Sequence, residues 1–373
     1  MLLLALGLAT ALRAQAAPAE RRIQLGIAPH AEQVVLRLDG RYEARDGGGS
    51  HQLAAGKELR LVADRGSLRL GALRLASPAR LIPSATGAFV ELAGKRYAGT
   101  LVLLADEGAD TVTVVDELGI ETYLLGVLPF EMDPDWPLEA LKAQAVVART
   151  FAYTQLGKYR KEGFDLTTDT RSQVYGGRGA DTAEVRKAVE STRGEVLGYK
   201  GQILSVYYHA CCGGHTESPA AIWGGDAPPP LRGVRDRYCS KSPLANWTAY
   251  VTFDQLAASL EKHRLTGGRL ERFRIDARDA AGYVSAFAAK IGAERLKVKA
   301  SELRSALGSE RLKSLRISGI RMLKNGVEFV GGGSGHGVGL CQWGARLQAA
   351  RGRTYEQILS FYFPGSTLSV IDE

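Results

Sequence analysis

The stretch ETYLLGVLPFEMDPDWPLEALKAQAVVARTFAYTQLGKYRK, Glu121 to Lys161, is where the hydrophobic patterning of this chain changes period. Leu138, Leu141, Ala145, Ala148 and Ala152 recur at alternating spacings of three and four, which predicts a helix with one buried face. Asp135 or Trp136 stands at the expected N-cap position. Pro137 suits the first turn, and Glu139 favours the positive end of the helix dipole. Alanines on the buried face imply close packing against a sheet or a second helix.

Upstream of this stretch the period is two. RIQLGIA, QVVLRLDG, ELRLVAD, SLRLGALRLA, AFVELAG, GTLVLLAD and DTVTVVDE alternate apolar and polar residues between glycine or aspartate turns, which predicts short strands. Downstream, helix patterns (DTAEVRKAVES, CQWGARLQAARG and Tyr355 to Phe363) mix with strand patterns such as GQILSVYYHACCGG. The fold class expected is α+β: a mixed sheet packed with helices, preceded by a small β-rich portion over residues 22–113. Residues 114–373 form the larger domain, with an insertion expected at about 250–325, where no chemistry is read.

The first 16 residues read as a cleavable signal peptide: an apolar run from Leu2 to Leu12, then Ala14-Gln15-Ala16 as a small-x-small cleavage site. The run is too short to span a bilayer, and no later stretch is long and apolar enough for a transmembrane segment. The expected location is therefore periplasmic or secreted. The net charge of +8 favours an acidic partner. Nucleic acid is excluded on sequence grounds, because there is no long Lys/Arg block, zinc-finger spacing or RNP pattern.

Four constellations could carry chemistry. Glu131 lies between Phe130 and Met132, just before the helix start. A carboxylate among apolar groups has its charged form disfavoured and can hold a proton near neutrality, as a general acid must. The alternative is a helix cap or an ion pair with Arg149. YYHACCGGHTES places His209, Cys211, Cys212 and His215 within seven residues, with Cys239 further on. Imidazoles and thiolates are zinc ligands, while a Cys212–Cys239 disulfide would suit an oxidising compartment, and both readings stay open. GGGSGHGVGLCQWGA, Gly331 to Ala345, has neither a dinucleotide nor a phosphate-loop pattern. Its glycines allow close backbone approach, His336 adds a titratable ring, and Gln342 and Trp343 bring an amide and a flat ring suited to holding a sugar. Last, TDTRSQVYGG places Thr170, Gln173 and Tyr175 in a polar loop expected to be exposed.

Taken together, GVLPFEMDPDWPLEALKAQAVVARTFA, TTDTRSQVYGG, YYHACCGGHTESPAAIWGG and GSGHGVGLCQWGA, in that order, closely resemble the SpoIID/LytB family, named for stage II sporulation protein D and an amidase enhancer. The resemblance runs from Arg22 to the C-terminus and is weakest across 250–325. It implies a lytic transglycosylase that cleaves peptidoglycan glycan strands stripped of stem peptides, with the glutamate of the E-M motif, Glu131, as acid. It also implies Arg149, Gln173, Tyr175, His209, His336 and Gln342 as site residues. No cofactor is required by that chemistry, although some relatives bind zinc through Cys and His. Asp133 and Asp135 would supply the second carboxylate of a hydrolytic reaction, Asp135 reading better as a cap. The competing implication is a non-catalytic peptidoglycan-binding activator of a cell-wall amidase.

Overall fold

Alternating burial along Val34–Asp39, with Val34, Leu36 and Leu38 inside and Val35, Arg37 and Asp39 outside, is the pattern from which the N-terminal part is built. The computed structural model describes residues 21–260, 270–292 and 294–371. The leader expected at 1–16 lies outside them, and among the described residues no helix is long and apolar enough to cross a membrane. The fold is α+β, with a β-rich N-terminal region and eight helices among the described residues.

Two sheets form the N-terminal region. One has seven strands, in the order Leu166–Thr167, Arg22–Ala31, Val112–Gly119, Thr100–Ala105, Ala79–Pro83, Tyr42–Asp46 and Gly49–Leu53. Pairing is antiparallel except where Leu166–Thr167 runs parallel to Arg22–Ala31. The other has six strands, from Lys95–Tyr97 through Val34–Asp39 to Leu73–Leu75. Residue 113 lies inside Val112–Gly119, which runs on directly into a helix, so strand and helix share one core.

That helix, α1 (Ile120–Glu131), and the next, α2 (Leu138–Gln155), are joined by the proline-bearing turn 132–137. Only α2 is foreshadowed by periodicity. α1 contains Pro129, a residue that argues against helix, yet Tyr123, Leu124, Val127 and Leu128 are buried against the sheets. Pro137 occupies the N-cap position of α2 and makes no side-chain cap, so neither Asp135 nor Trp136 does what its position implied. Instead the Asp135 N–H donates to Asp133 Oδ1 at 3.0 Å, closing the turn.

α2 is buried on two sides, and this accounts for its alanines. Ala145, Ala148 and Ala152 pack into the sheet core beside α1 and α3 (Ala183–Ser191). Leu141, Ala143, Val146 and Val147 pack into a second core with Leu340, Cys341, Ala345, Ile358 and Phe363. A third core, around Trp247, Phe273, Phe287 and Phe329, belongs to the strands and helices between Trp247 and Gly331.

An ion pair crosses between the first two helices. Arg149, wholly buried, donates from Nε to Glu121 Oε1 at 2.8 Å and from Nη2 to Oε2 at 2.6 Å. It also donates to the Glu195 carbonyl at 3.1 Å, while the Gly194 N–H donates to Glu121 Oε1 at 3.0 Å. One planar fork thereby ties α1, α2 and the strand Glu195–Tyr199 together. Arg149 neither pairs with Glu131 nor reaches solvent, so its role is architectural rather than substrate-binding. Arg149→Met strands the Glu121 carboxylate in the core and is expected to cost roughly 3–5 kcal/mol of unfolding free energy. Pairing it with Glu121→Leu should recover much of that loss, as read by denaturant titration.

Candidate active site

Glu131 is the last residue of α1, where unsatisfied helix carbonyls concentrate negative potential. Its Oε1 accepts the Val174 N–H at 3.2 Å, and its carboxylate is also bonded by the Tyr208 hydroxyl. Burial raises its pKa above the usual carboxylate range, against the opposing pull of Tyr208 and the Val174 N–H. Asp133 and Asp135 are exposed on the following turn.

Behind Glu131 runs a polar relay. The Tyr123 hydroxyl donates to Gln173 Oε1 at 3.0 Å, and Gln173 Nε2 donates to the Tyr208 oxygen at 3.1 Å. With its oxygen already accepting, the Tyr208 hydroxyl is oriented to donate to Glu131. Gln173 is therefore buried at 1% exposure, and Tyr175 at 0%, where a solvent-facing loop was expected. Tyr175 stacks on Tyr123 at 5.5 Å between centroids and contributes packing rather than a ligand contact. The loop bends inward because Tyr175 finds apolar cover against α1, whereas Thr170 stays outside.

The glycine-rich segment forms the opposite side. Leu340–Cys341 pairs in parallel with Tyr208–His209, which sets the loop 333–339 over the His209 ring. At Gly335 and Gly339 the backbone has positive φ. A side chain would run into the Cβ of His209 at the first and into the Tyr207 carbonyl at the second. His209 Nδ1 donates to the Val338 carbonyl at 3.0 Å, leaving Nε2 buried without a partner. His336 Nδ1 accepts from the Val338 N–H at 3.0 Å, so its other nitrogen carries the proton and donates to the Tyr208 carbonyl. Burial, with a smaller contribution from His336, pushes His209 down to about 3, and burial with Arg304 pushes His336 down to about 4. Both rings are neutral at pH 7, and buried His209 packs behind His336 at 5.6 Å between centroids, so His209 is not the ligand contact that the resemblance implied.

Gln342 and Trp343 lie elsewhere than on the open face. Gln342 is buried and donates from Nε2 to the Glu131 carbonyl at 3.0 Å, which fixes the acid's backbone. Trp343 packs against Trp136 at 5.0 Å, and the Arg346 guanidinium covers its ring at 4.6 Å. The ring available to a ligand is Trp223, 54% exposed, 4.7 Å from Tyr207 and 5.2 Å from His336. With Ile222, Arg304 and His336 it lines a cavity of about 580 Å³. Tyr208 and Trp223 both stand in the quoted motifs, but nothing in residue type distinguished them there from ordinary strand and helix aromatics. Glu217 was missed as well. Its N–H donates to the Gly337 carbonyl at 2.7 Å, and burial pushes its carboxyl up to about 8.

The histidines expected as zinc ligands are not in the cysteine cluster. His209 is committed to Val338, and His215 Nδ1 bonds the Thr216 carbonyl at 2.6 Å. All four cysteines are free and buried, and Cys212 Sγ lies 3.3 Å from Cys239 Sγ. Cys212 and Cys239 are joined there by Cys341 and Asp236, neither of which was expected as a ligand.

The family model described as stage II sporulation protein matches residues 108–199, a stretch that includes Glu131 and Gln173. An uncharacterised protein of Brachyspira hyodysenteriae is 38% identical over 275 residues, 74% of this chain and 72% of its own length. The stage II sporulation protein D of Bacillus amyloliquefaciens is 31% identical over 279 residues, 69% of this chain and 76% of that protein. The amidase enhancer of Bacillus subtilis is 30% identical over 328 residues, 75% of this chain but 45% of the relative.

Removing the Tyr208 hydroxyl deletes a donor that favours the ionised acid. Tyr208→Phe should move the Glu131 midpoint up by about one pH unit. Carboxyl carbon NMR titration reads this directly. An unchanged midpoint would mean that Tyr208 does not act on Glu131.

Proposed function

The chain belongs to the SpoIID/LytB family, and from that membership we propose that it is a peptidoglycan lytic transglycosylase of the cell envelope, with Glu131 as its general acid and base. The observation that carries the reading is the setting of Glu131: a carboxyl with a raised pKa, backed by a fixed hydrogen-bond relay.

One such group suffices for the reaction. Glu131 gives its proton to the glycosidic oxygen as the bond to muramic C1 breaks. The resulting carboxylate takes the proton of the C6 hydroxyl as that oxygen closes on C1, yielding an anhydro end and restoring the acid. Tyr208, donating to the carboxylate, stabilises the form of Glu131 that exists after the first transfer. Neutral His336 and exposed Trp223 offer the polar and flat surfaces that a glycan strand needs, with buried His209 backing His336. The charge of +8 suits an anionic wall, and export from the cytoplasm fits this substrate.

The second reading, a non-catalytic activator of a wall amidase, is favoured by one finding: the relative named amidase enhancer is 30% identical across 75% of this chain. Both readings use the same glycan surface, so the acid separates them.

Incubated with peptide-free glycan strands, the wild type should release anhydro-ended products, and Glu131→Gln should lose at least about 10²–10⁴-fold in rate. Cleavage should fall as pH rises through the raised Glu131 pKa, because the acid must start protonated. Reducing ends would make the protein a hydrolase. Absence of cleavage, with equal amidase stimulation by wild type and variant, would sustain the activator. Trp223→Ala removes a stacking platform without touching the acid, and should raise KM about tenfold with kcat nearly unchanged.

A further inference from the structure

We propose that Cys212, Cys239 and Cys341, together with the carboxylate of Asp236, form a closed thiolate centre that holds one zinc ion per chain. The four residues come from three separate segments. Cys212 follows the strand Tyr208–His209, Asp236 and Cys239 lie on one turn, and Cys341 occupies the N-cap of the helix Gln342–Ala349. One ligand atom from each lies within 4.8 Å of all the others, and all four residues are buried. Cys212 Sγ stands 3.3 Å from Cys239 Sγ and 3.3 Å from Asp236 Oδ2. Four ligands around zinc at about 2.3 Å lie about 3.8 Å apart, so small adjustments produce the tetrahedron.

The surroundings hold the ligand atoms in place. Cys341 Sγ accepts backbone N–H groups from Cys212 and from Gly344, each at 3.3 Å. Asp236 is oriented by the Tyr362 hydroxyl at 2.8 Å on Oδ2 and by the Tyr238 N–H at 2.7 Å on Oδ1. Outer-shell donors of this kind fix ligands and tune the bound ion. No solvent-facing position remains among these buried residues, which makes the site structural rather than catalytic. Its effect is positional. Cys341 precedes Gln342, whose amide holds the Glu131 carbonyl, and Cys212 lies three residues after His209. Zinc therefore staples the two segments that frame the candidate active site, whichever activity that site has. Cys211 lies beside the cluster, in contact with Cys239 and Cys341, and is the one cysteine outside the ligand set.

The test uses the full mature chain without a histidine tag. Metal analysis should find about one zinc per chain, with four titratable thiols appearing only after denaturation with chelator. Cobalt exchanged into the site should show thiolate-to-metal charge transfer and tetrahedral absorption. Cys239→Ser, Cys341→Ser and Asp236→Asn should each lose the ion, whereas Cys211→Ser should keep it with an unchanged cobalt spectrum. An intact mass short by a pair of hydrogens, with two or fewer free thiols, would overturn the proposal in favour of a Cys212–Cys239 disulfide. So would a folded wild type that takes up neither zinc nor cobalt. Retention of zinc by Asp236→Asn together with its loss from Cys211→Ser would overturn the ligand set.

Discussion

The bidentate pair between Glu121 and Arg149 is the constraint on which the rest of the site depends. Glu121 lies in the first turn of α1 and Glu131 ends it, so fixing the first against α2 fixes where the second emerges. A buried ion pair is a weak source of net stability, because desolvation consumes most of the Coulombic gain. Its value here lies in specificity. A planar guanidinium with four acceptors, two from Glu121 and two from backbone carbonyls, admits one relative placement of the helices and of the strand beyond α3.

From that placement the site assembles out of segments far apart in the chain. The end of α1 brings the acid, the loop before Tyr175 brings Gln173, and Tyr208–His209 brings the hydroxyl. The glycine loop then lays a second histidine and Gln342 alongside. Each of these groups is held by a polar partner as well as by packing. Such preorganisation is what a single acid requires if it is to give and then retake one proton. The third core buttresses both segments: the single Tyr283 hydroxyl proton is shared between the carbonyls of Cys212 and His215, and Trp247 Nε1 donates to the Gly333 carbonyl at 2.9 Å.

Much of this was readable from residues alone. Apolar patterning foretold Val34–Asp39 and Thr100–Ala105, and the three-four spacing foretold α2, because residues that pack into a core recur at the period of their element. Glu131 stood out because a carboxylate flanked by Phe130 and Met132 has a local reason to be perturbed. α1 did not stand out: its apolar residues meet neighbours on most sides, so it carries little helical period, and Pro129 argues against it. The short strands Tyr42–Asp46 and Ala79–Pro83 were missed for a related reason, since central strands between turns are held by their neighbours in the sheet more than by local propensity.

The roles of the polar residues were a tertiary matter throughout. Arg149, Gln173, Gln342 and Trp343 were all expected to face a substrate, and each is instead engaged with another side chain or with backbone. Cys341 lies 102 residues beyond Cys239 in the chain, and no spacing rule links them until the parallel pairing of Tyr208–His209 with Leu340–Cys341 brings them together. The chain by itself determined its period, its turns and the chemical character of its one candidate acid, because these depend on near neighbours. Which hydroxyl meets that acid, which ring stays exposed and which thiols converge were decided only by tertiary structure, because hydrogen bonds and ligand sets act over a few ångströms of space without regard to separation along the chain.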